Sequence, residues 1–155
     1  MIFETPPAGQ ASQSDTAGEP HAPPVVWSEV DLHLHTTASD GRLTPQELVS
    51  LAVSRELKVI ALTDHDSTEG VEEGVETARG TGLEVITGVE INTDSVQGEA
   101  HVLGYFLDLH DAGLQACLQQ RRRDRLERGL GIVRKLQDLG YDVNWDRVQE
   151  LAGAV

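Results

Sequence analysis

Basic residues are scarce: 12 lysines and arginines stand against 26 aspartates and glutamates, a formal net charge of −14. A chain this acidic is poorly made to grip duplex nucleic acid by charge, so no duplex partner is expected. Its carboxylates suit cations instead. Cysteine is scarcer still. Cys117 is the single one, which excludes an intrachain disulfide and a thiolate zinc site. It fits a reducing compartment. No apolar run approaches the ~18 residues of a membrane-spanning helix, so no membrane partner is expected. The opening MIFETPPAGQ has neither a basic stretch nor an apolar core, which argues against a secretory signal. A cytoplasmic location is the resulting expectation.

What remains is enough for one domain. The chain has 155 residues, 39% of them hydrophobic, so a real core is within reach. Residues 1–24 hold five of the six prolines and no hydrophobic period, and read as a disordered tail or leader. Order is expected to begin near Val25. The division drawn is a tail over 1–28 and a domain over 29–155.

From there strands and helices alternate. VDLHLH (30–35) has period two, with Val30, Leu32 and Leu34 on one face and Asp31, His33 and His35 on the other. TPQELVSLAVSRE (44–56) predicts a helix, with Thr44 as N-cap, Pro45 at its first position and Glu47 closing a capping box. Its apolar stripe runs through Leu48, Leu51, Ala52 and the stem of Arg55. KVIALT (58–63) reads as a buried parallel strand. A glycine-loosened helix follows over 67–82, then strands over 83–93 and 99–108 joined through DSVQG. A long helix spans 111–140, with a break expected near Gly129–Gly131. A last helix starts at Asn144. The order strand–helix–strand–helix–strand predicts an α/β fold with a parallel sheet, active residues gathering beyond the carboxyl ends of the strands.

The unusual residues fall at those ends. His33 and His35 share a strand face ~7 Å apart at Cα and can reach one ion. Asp40 follows in a Ser-Asp-Gly turn. Asp64, His65 and Asp66 occupy the loop after the second strand. Glu90 lies near the end of the third, and His101 in the fourth. Any one of these histidines alone reads as an ordinary strand or surface residue, as His21 and His110 do. Four histidines and two acids at successive strand ends instead predict a metal site. Its nitrogen and oxygen donors suit manganese, iron or zinc and disfavour structural zinc. Asp31 and Asp64 are better placed to accept hydrogen bonds that orient the ligands, or to make ordinary turn hydrogen bonds.

Seven of the 12 bases crowd into residues 121–135, which as a rule marks a solvated helix face. Arg122, however, interrupts the apolar stripe Leu118, Leu126, Leu130, Val133, and Arg125 lies close by. An inward arginine needs a partner. A substrate phosphate fits its fork, and so does a structural ion pair with a carboxylate.

DLHLHTTASDG (31–41), ALTDHDSTEG (61–70), GVEI (88–91) and HVLGYFLD (101–108), in that order, resemble the successive motifs of the PHP (polymerase and histidinol phosphatase) superfamily. They are most similar to its stand-alone phosphoesterase branch of nucleoside bisphosphate phosphatases and 5'-to-3' exoribonucleases. The resemblance runs from about residue 29 to the end. It implies the N-terminal part of a distorted (β/α)7 barrel with an inserted helical region bearing the arginines. It also implies divalent ions, manganese first, up to three in the intact protein. By position, His33 and His35 would bind the first ion, and Glu90 would bridge it to a second held by His101. Asp40 and His65 would bind the third. A later histidine and a late Asp-x-His pair complete the family's centre, and the sequence stops at Val155 without them. The expectation is therefore an N-terminal portion whose partner is the missing half of the barrel. The reaction implied is hydrolysis of a phosphate ester of a nucleotide or other phosphorylated small molecule. A histidinol-phosphate phosphatase, an amidohydrolase and a catalytically incompetent metal-binding fragment are the competing readings.

Overall fold

The computed structural model describes residues 28–95 and 98–152. Residues 1–27 of the tail expected over 1–28, with His21, lie outside the described residues, as do Val96 and Gln97 of the DSVQG connection and residues 153–155. Strands β1 (Val30–Leu34), β2 (Val59–Leu62), β3 (Glu84–Ser95) and β4 (Gly98–Tyr105) form one curled sheet in the order β1-β2-β3-β4. Helices α1 (Pro45–Ser54) and α2 (Val71–Ala78) connect the first three strands. Helices α3 (Ala112–Asp138) and α4 (Trp145–Ala152) follow the sheet.

The first two crossovers carry a helix each and make β1, β2 and β3 parallel. The third connection is too short for a crossover, so β4 turns back antiparallel on β3. The parallel arrangement expected of the strand–helix–strand–helix–strand run holds for β1, β2 and β3, and β4 adds an antiparallel strand beside them. The reversal brings His101, near the start of β4, opposite Asn92, near the end of β3.

Helix α1 starts as its sequence dictates. Thr44 accepts from the Glu47 amide, Glu47 reaches back to the Thr44 amide, and Pro45 fills the first turn. Its inward face is Leu48, Val49 and Ala52. Leu51 is exposed, so Val49 takes the place expected for it. These side chains pack with Ile60 and Leu62 of β2 and with Val71, Ala78 and Leu83 to make the core. Helix α2 presses close: a Cβ on Gly74 would stand 2.4 Å from Leu62 Cδ1. This helix is shorter than expected at both ends: it starts at Val71, after Gly70, and Gly80 and Gly82, with φ of 80° and 84°, turn the chain into β3 after Ala78.

One further observation concerns β1, and one further correction α3. The apolar face of β1 is not covered: Val30 and Leu32 are exposed, and only Leu34 packs on the core. The β1–β2 register breaks between Asp31 and Leu34. At that break the Tyr105 hydroxyl, on β4, donates to the Leu32 carbonyl at 2.9 Å. The first and last strands of the sheet are thereby joined across its concave side. Helix α3 runs unbroken through Gly129 and Gly131. Trp145, at the start of α4, sits where a Cβ on Gly129 would meet its ring at 3.3 Å, so the glycine lets the two helices close up. Asn144 caps α4 through the Arg147 amide at 2.9 Å.

Candidate metal centre

Glu90 is the hub. It is 2% exposed and lies where β3 runs past the end of β2. The Glu90 amide donates to the Asp64 carbonyl at 3.1 Å, and the Asp66 amide donates to the Glu90 carbonyl at 2.9 Å. This short parallel bridge, with His65 opposite Glu90, lays the TDHD loop beside β3.

Four imidazoles meet the Glu90 carboxylate. His33 Nε2 and His35 Nε2 lie 3.0 and 2.9 Å from Oε2, and 3.1 Å from each other. His65 Nδ1 lies 3.4 Å from the same oxygen. His101 Nδ1 lies 2.6 Å from Oε1. On the far side of His35, Nδ1 meets Asp40 Oδ1 at 2.6 Å, and His65 Nε2 stands 3.6 Å from Asp40 Oδ2. Three overlapping groups result: His33, His35 and Glu90; His35, Asp40 and His65; His65, Glu90 and His101. All six expected ligand positions therefore fall in one cluster.

The carboxylates are tuned by this setting. Burial opposes ionisation of Glu90, but hydrogen bonds from His33 and His101 and the charges of His65 and His33 outweigh it and hold the group below the usual carboxylate range. Asp40 follows the same balance: burial raises it, and the bond and charge of His35 with the charge of His65 lower it further. Both are anionic at neutral pH. The residues fit cations in another respect. His65 Nδ1 is buried with no hydrogen-bond partner, an arrangement that is unfavourable for a polar nitrogen unless a ligand meets it.

Asp64 is fully buried and lies behind the cluster. It accepts from the Thr36 amide at 2.7 Å, the Thr36 hydroxyl at 2.8 Å and the Ser39 hydroxyl at 2.5 Å. It therefore fixes the loop that carries Asp40 rather than any imidazole directly. Asp31 accepts from the His33 amide at 3.2 Å. His110 pairs with Glu72, away from the centre.

Helix α3 lays its arginines over the rim. Arg125 Nη2 meets Asp66 Oδ2 at 2.7 Å. Arg122 donates to the Asp66 carbonyl at 3.1 Å and stands 3.4 Å from Glu69. Arg121 donates to the Asn92 carbonyl at 2.7 Å. Asp66 was the residue that reading the sequence passed over as a functional one. The signal was present: an inward Arg125 calls for a buried acid, and Asp66 adjoins a ligand.

The α/β sheet thus gathers histidines and carboxylates at its strand ends in three overlapping groups, each of which could hold a metal ion. The chain belongs to the PHP domain family, which matches residues 31–147. It is 39% identical over 127 residues to the 5'-3' exoribonuclease of Haemophilus influenzae, covering 82% of this chain and 46% of that protein. It is 35% identical over 113 residues to the 3',5'-nucleoside bisphosphate phosphatase of Chromobacterium violaceum, covering 73% of this chain and 40% of that one. A solved amidohydrolase from Chromobacterium violaceum, holding sulfate and no metal, superposes with TM-score 0.69 at 34% identity, over 77% of this chain and 42% of its own. The chain thus spans less than half the length of the curated relatives it matches.

Proposed function

We propose that this chain supplies the N-terminal ligands of a metal-dependent phosphoesterase acting on a phosphate ester of a nucleotide or short oligonucleotide. The observation that carries the reading is the convergence of His33, His35, His65 and His101 on the one carboxylate of Glu90. The substrate class is supported by the names of relatives, an exoribonuclease and a nucleoside bisphosphate phosphatase.

In this reading His33, His35 and Glu90 would hold one divalent ion, and Glu90 and His101 would contribute to holding a second. Asp40 and His65 would hold a third. His35 donates from Nδ1 to Asp40, which sets its tautomer and turns the Nε2 lone pair toward Glu90. Manganese is the expected ion, iron and zinc suiting the same donors. Such ions, when bound, supply an activated water and neutralise phosphate charge. Asp64 keeps the Asp40 loop in place. Arginines of α3 face the rim, where a phosphate would sit.

Elemental analysis of the 155-residue protein after dialysis tests the first half of this. Two or three manganese, iron or zinc ions per chain are expected. A chain that retains none would remove the ligand assignment. The second half is tested on the complete enzyme, with nucleoside bisphosphate and histidinol phosphate assayed side by side. Preference for histidinol phosphate would replace the nucleotide reading.

A further inference from the structure

Three arginines of α3 reach the rim, and their partners differ in kind. Arg125 bonds a carboxylate: Nη2 meets Asp66 Oδ2 at 2.7 Å, with the side chains 20% and 4% exposed. Arg122 is bound far less firmly. It touches one backbone carbonyl at 3.1 Å, and its carboxylate neighbour Glu69 stands 3.4 Å away with 72% of its side chain in solvent. Breaking a buried ion pair leaves an uncompensated charge, whereas an exposed pair contributes little. A phosphate arriving at the rim can therefore draw Arg122 off its partners, but not Arg125.

Asp66 has a second distinguishing feature. It directly follows His65, and its φ is +48°, a conformation that aspartate and asparagine tolerate better than most residues. Its amide is bonded to the Glu90 carbonyl, its carbonyl to Arg122 and its carboxylate to Arg125. One residue thus ties helix α3 to the backbone of two candidate ligands.

We infer that Asp66 and Arg125 form a strut that positions the His65 loop against Glu90, and that Arg122 rather than Arg125 is the α3 arginine that meets substrate phosphate. Asp66 is a positioning residue. The strut stands on geometry alone, and the assignment of Arg122 rests on the phosphoesterase reading.

The experiment measures amide hydrogen exchange over residues 63–68 and 88–92 in the metal-free 155-residue chain, together with inorganic phosphate binding to the manganese-loaded chain. Asp66→Asn keeps the backbone preference and removes the charge. Arg125→Gln removes the other partner, and Arg125→Lys retains charge without the fork. Asp66→Asn and Arg125→Gln should each speed exchange of the Asp66 and Glu90 amides about tenfold or more. Arg122→Gln should leave exchange alone and raise the phosphate Kd about tenfold. Arg125→Lys should fall between wild type and Arg125→Gln, and it decides the matter should Arg125→Gln not fold.

Unchanged exchange in Asp66→Asn and in both Arg125 variants would overturn the strut. A larger loss of phosphate affinity in Arg125→Gln than in Arg122→Gln, with exchange unchanged, would overturn the division of roles. A wild-type chain that takes up neither manganese nor phosphate would sink the phosphoesterase reading and the Arg122 assignment with it. The exchange data would then judge the strut alone.

Discussion

Glu90 Oε1 and His101 Nδ1 lie 2.6 Å apart across the β3–β4 hairpin. The pair exists because β4 turns back on β3, placing an imidazole from one strand beside a carboxylate from the next. The other oxygen of Glu90 faces His33, His35 and His65. Replacing Glu90 with Gln therefore removes the anionic carboxylate shared by two candidate ligand groups at once. Metal content measured by elemental analysis should fall by at least one ion per chain, and turnover in the complete enzyme should be lost. Wild-type metal content in Glu90→Gln would contradict a bridging role.

Acid should loosen the metal-free protein. Glu90 and Asp40 are held below the usual carboxylate range in the fold, whereas in the unfolded chain they titrate near ~4. A group depressed in this way contributes stability that is full above its unfolded value and is lost as pH falls through its folded value. Urea midpoints should decline below about pH 5. Glu90→Gln and Asp40→Asn should each flatten that decline. An equally steep decline in both variants would assign the acid sensitivity elsewhere.

Asp64 holds three donors of the loop before Asp40. Asp64→Ala leaves them buried without an acceptor, which should cost about 3 kcal/mol or more. Asp64→Asn keeps one acceptor oxygen and should cost less. Equilibrium urea denaturation measures both. A loss under about 1 kcal/mol for the alanine variant would mean that the loop finds other partners.

Gly41 follows Asp40 directly, and a Cβ there would come within 2.3 Å of the His35 carbonyl oxygen. Backbone has to move to admit it. Gly41→Ala should destabilise by about 2 kcal/mol and displace Asp40 from His35. Thermal unfolding and metal titration read the two effects. A variant with unchanged melting temperature would show that the turn has slack.

Much of this was legible in the residues, for reasons that can be named. Period two placed His33 and His35 on one face of β1, and the Thr44–Glu47 pair marked the start of α1 because a capping box is a local interaction. Other features depend on distant contacts. Gly129 and Gly131 suggest a break, since glycine weakens a helix by about 1 kcal/mol, yet α3 continues with Trp145 packed at Gly129. The burial of Val49 instead of Leu51 follows from where α2 lies, which the period of α1 alone does not state. The reversal of β4 is legible in the length of its connection, DSVQG, which is too short for a crossover. The partner of Arg125 was open between a phosphate and a carboxylate, and only the fold brings Asp66 to it.

The bond from Tyr105 to the Leu32 carbonyl has a thermodynamic consequence for cation uptake. His33 and His101 belong to the first and last strands of the sheet, the pair most free to spread apart if the curl relaxed. A hydroxyl latch across the concave side fixes their separation as the chain folds. An ion entering the proposed centre would then meet donors already near their final places, with less entropy left to lose on binding. The affinity of the proposed cluster would in this sense be written partly by a phenol that is not among its six candidate ligands.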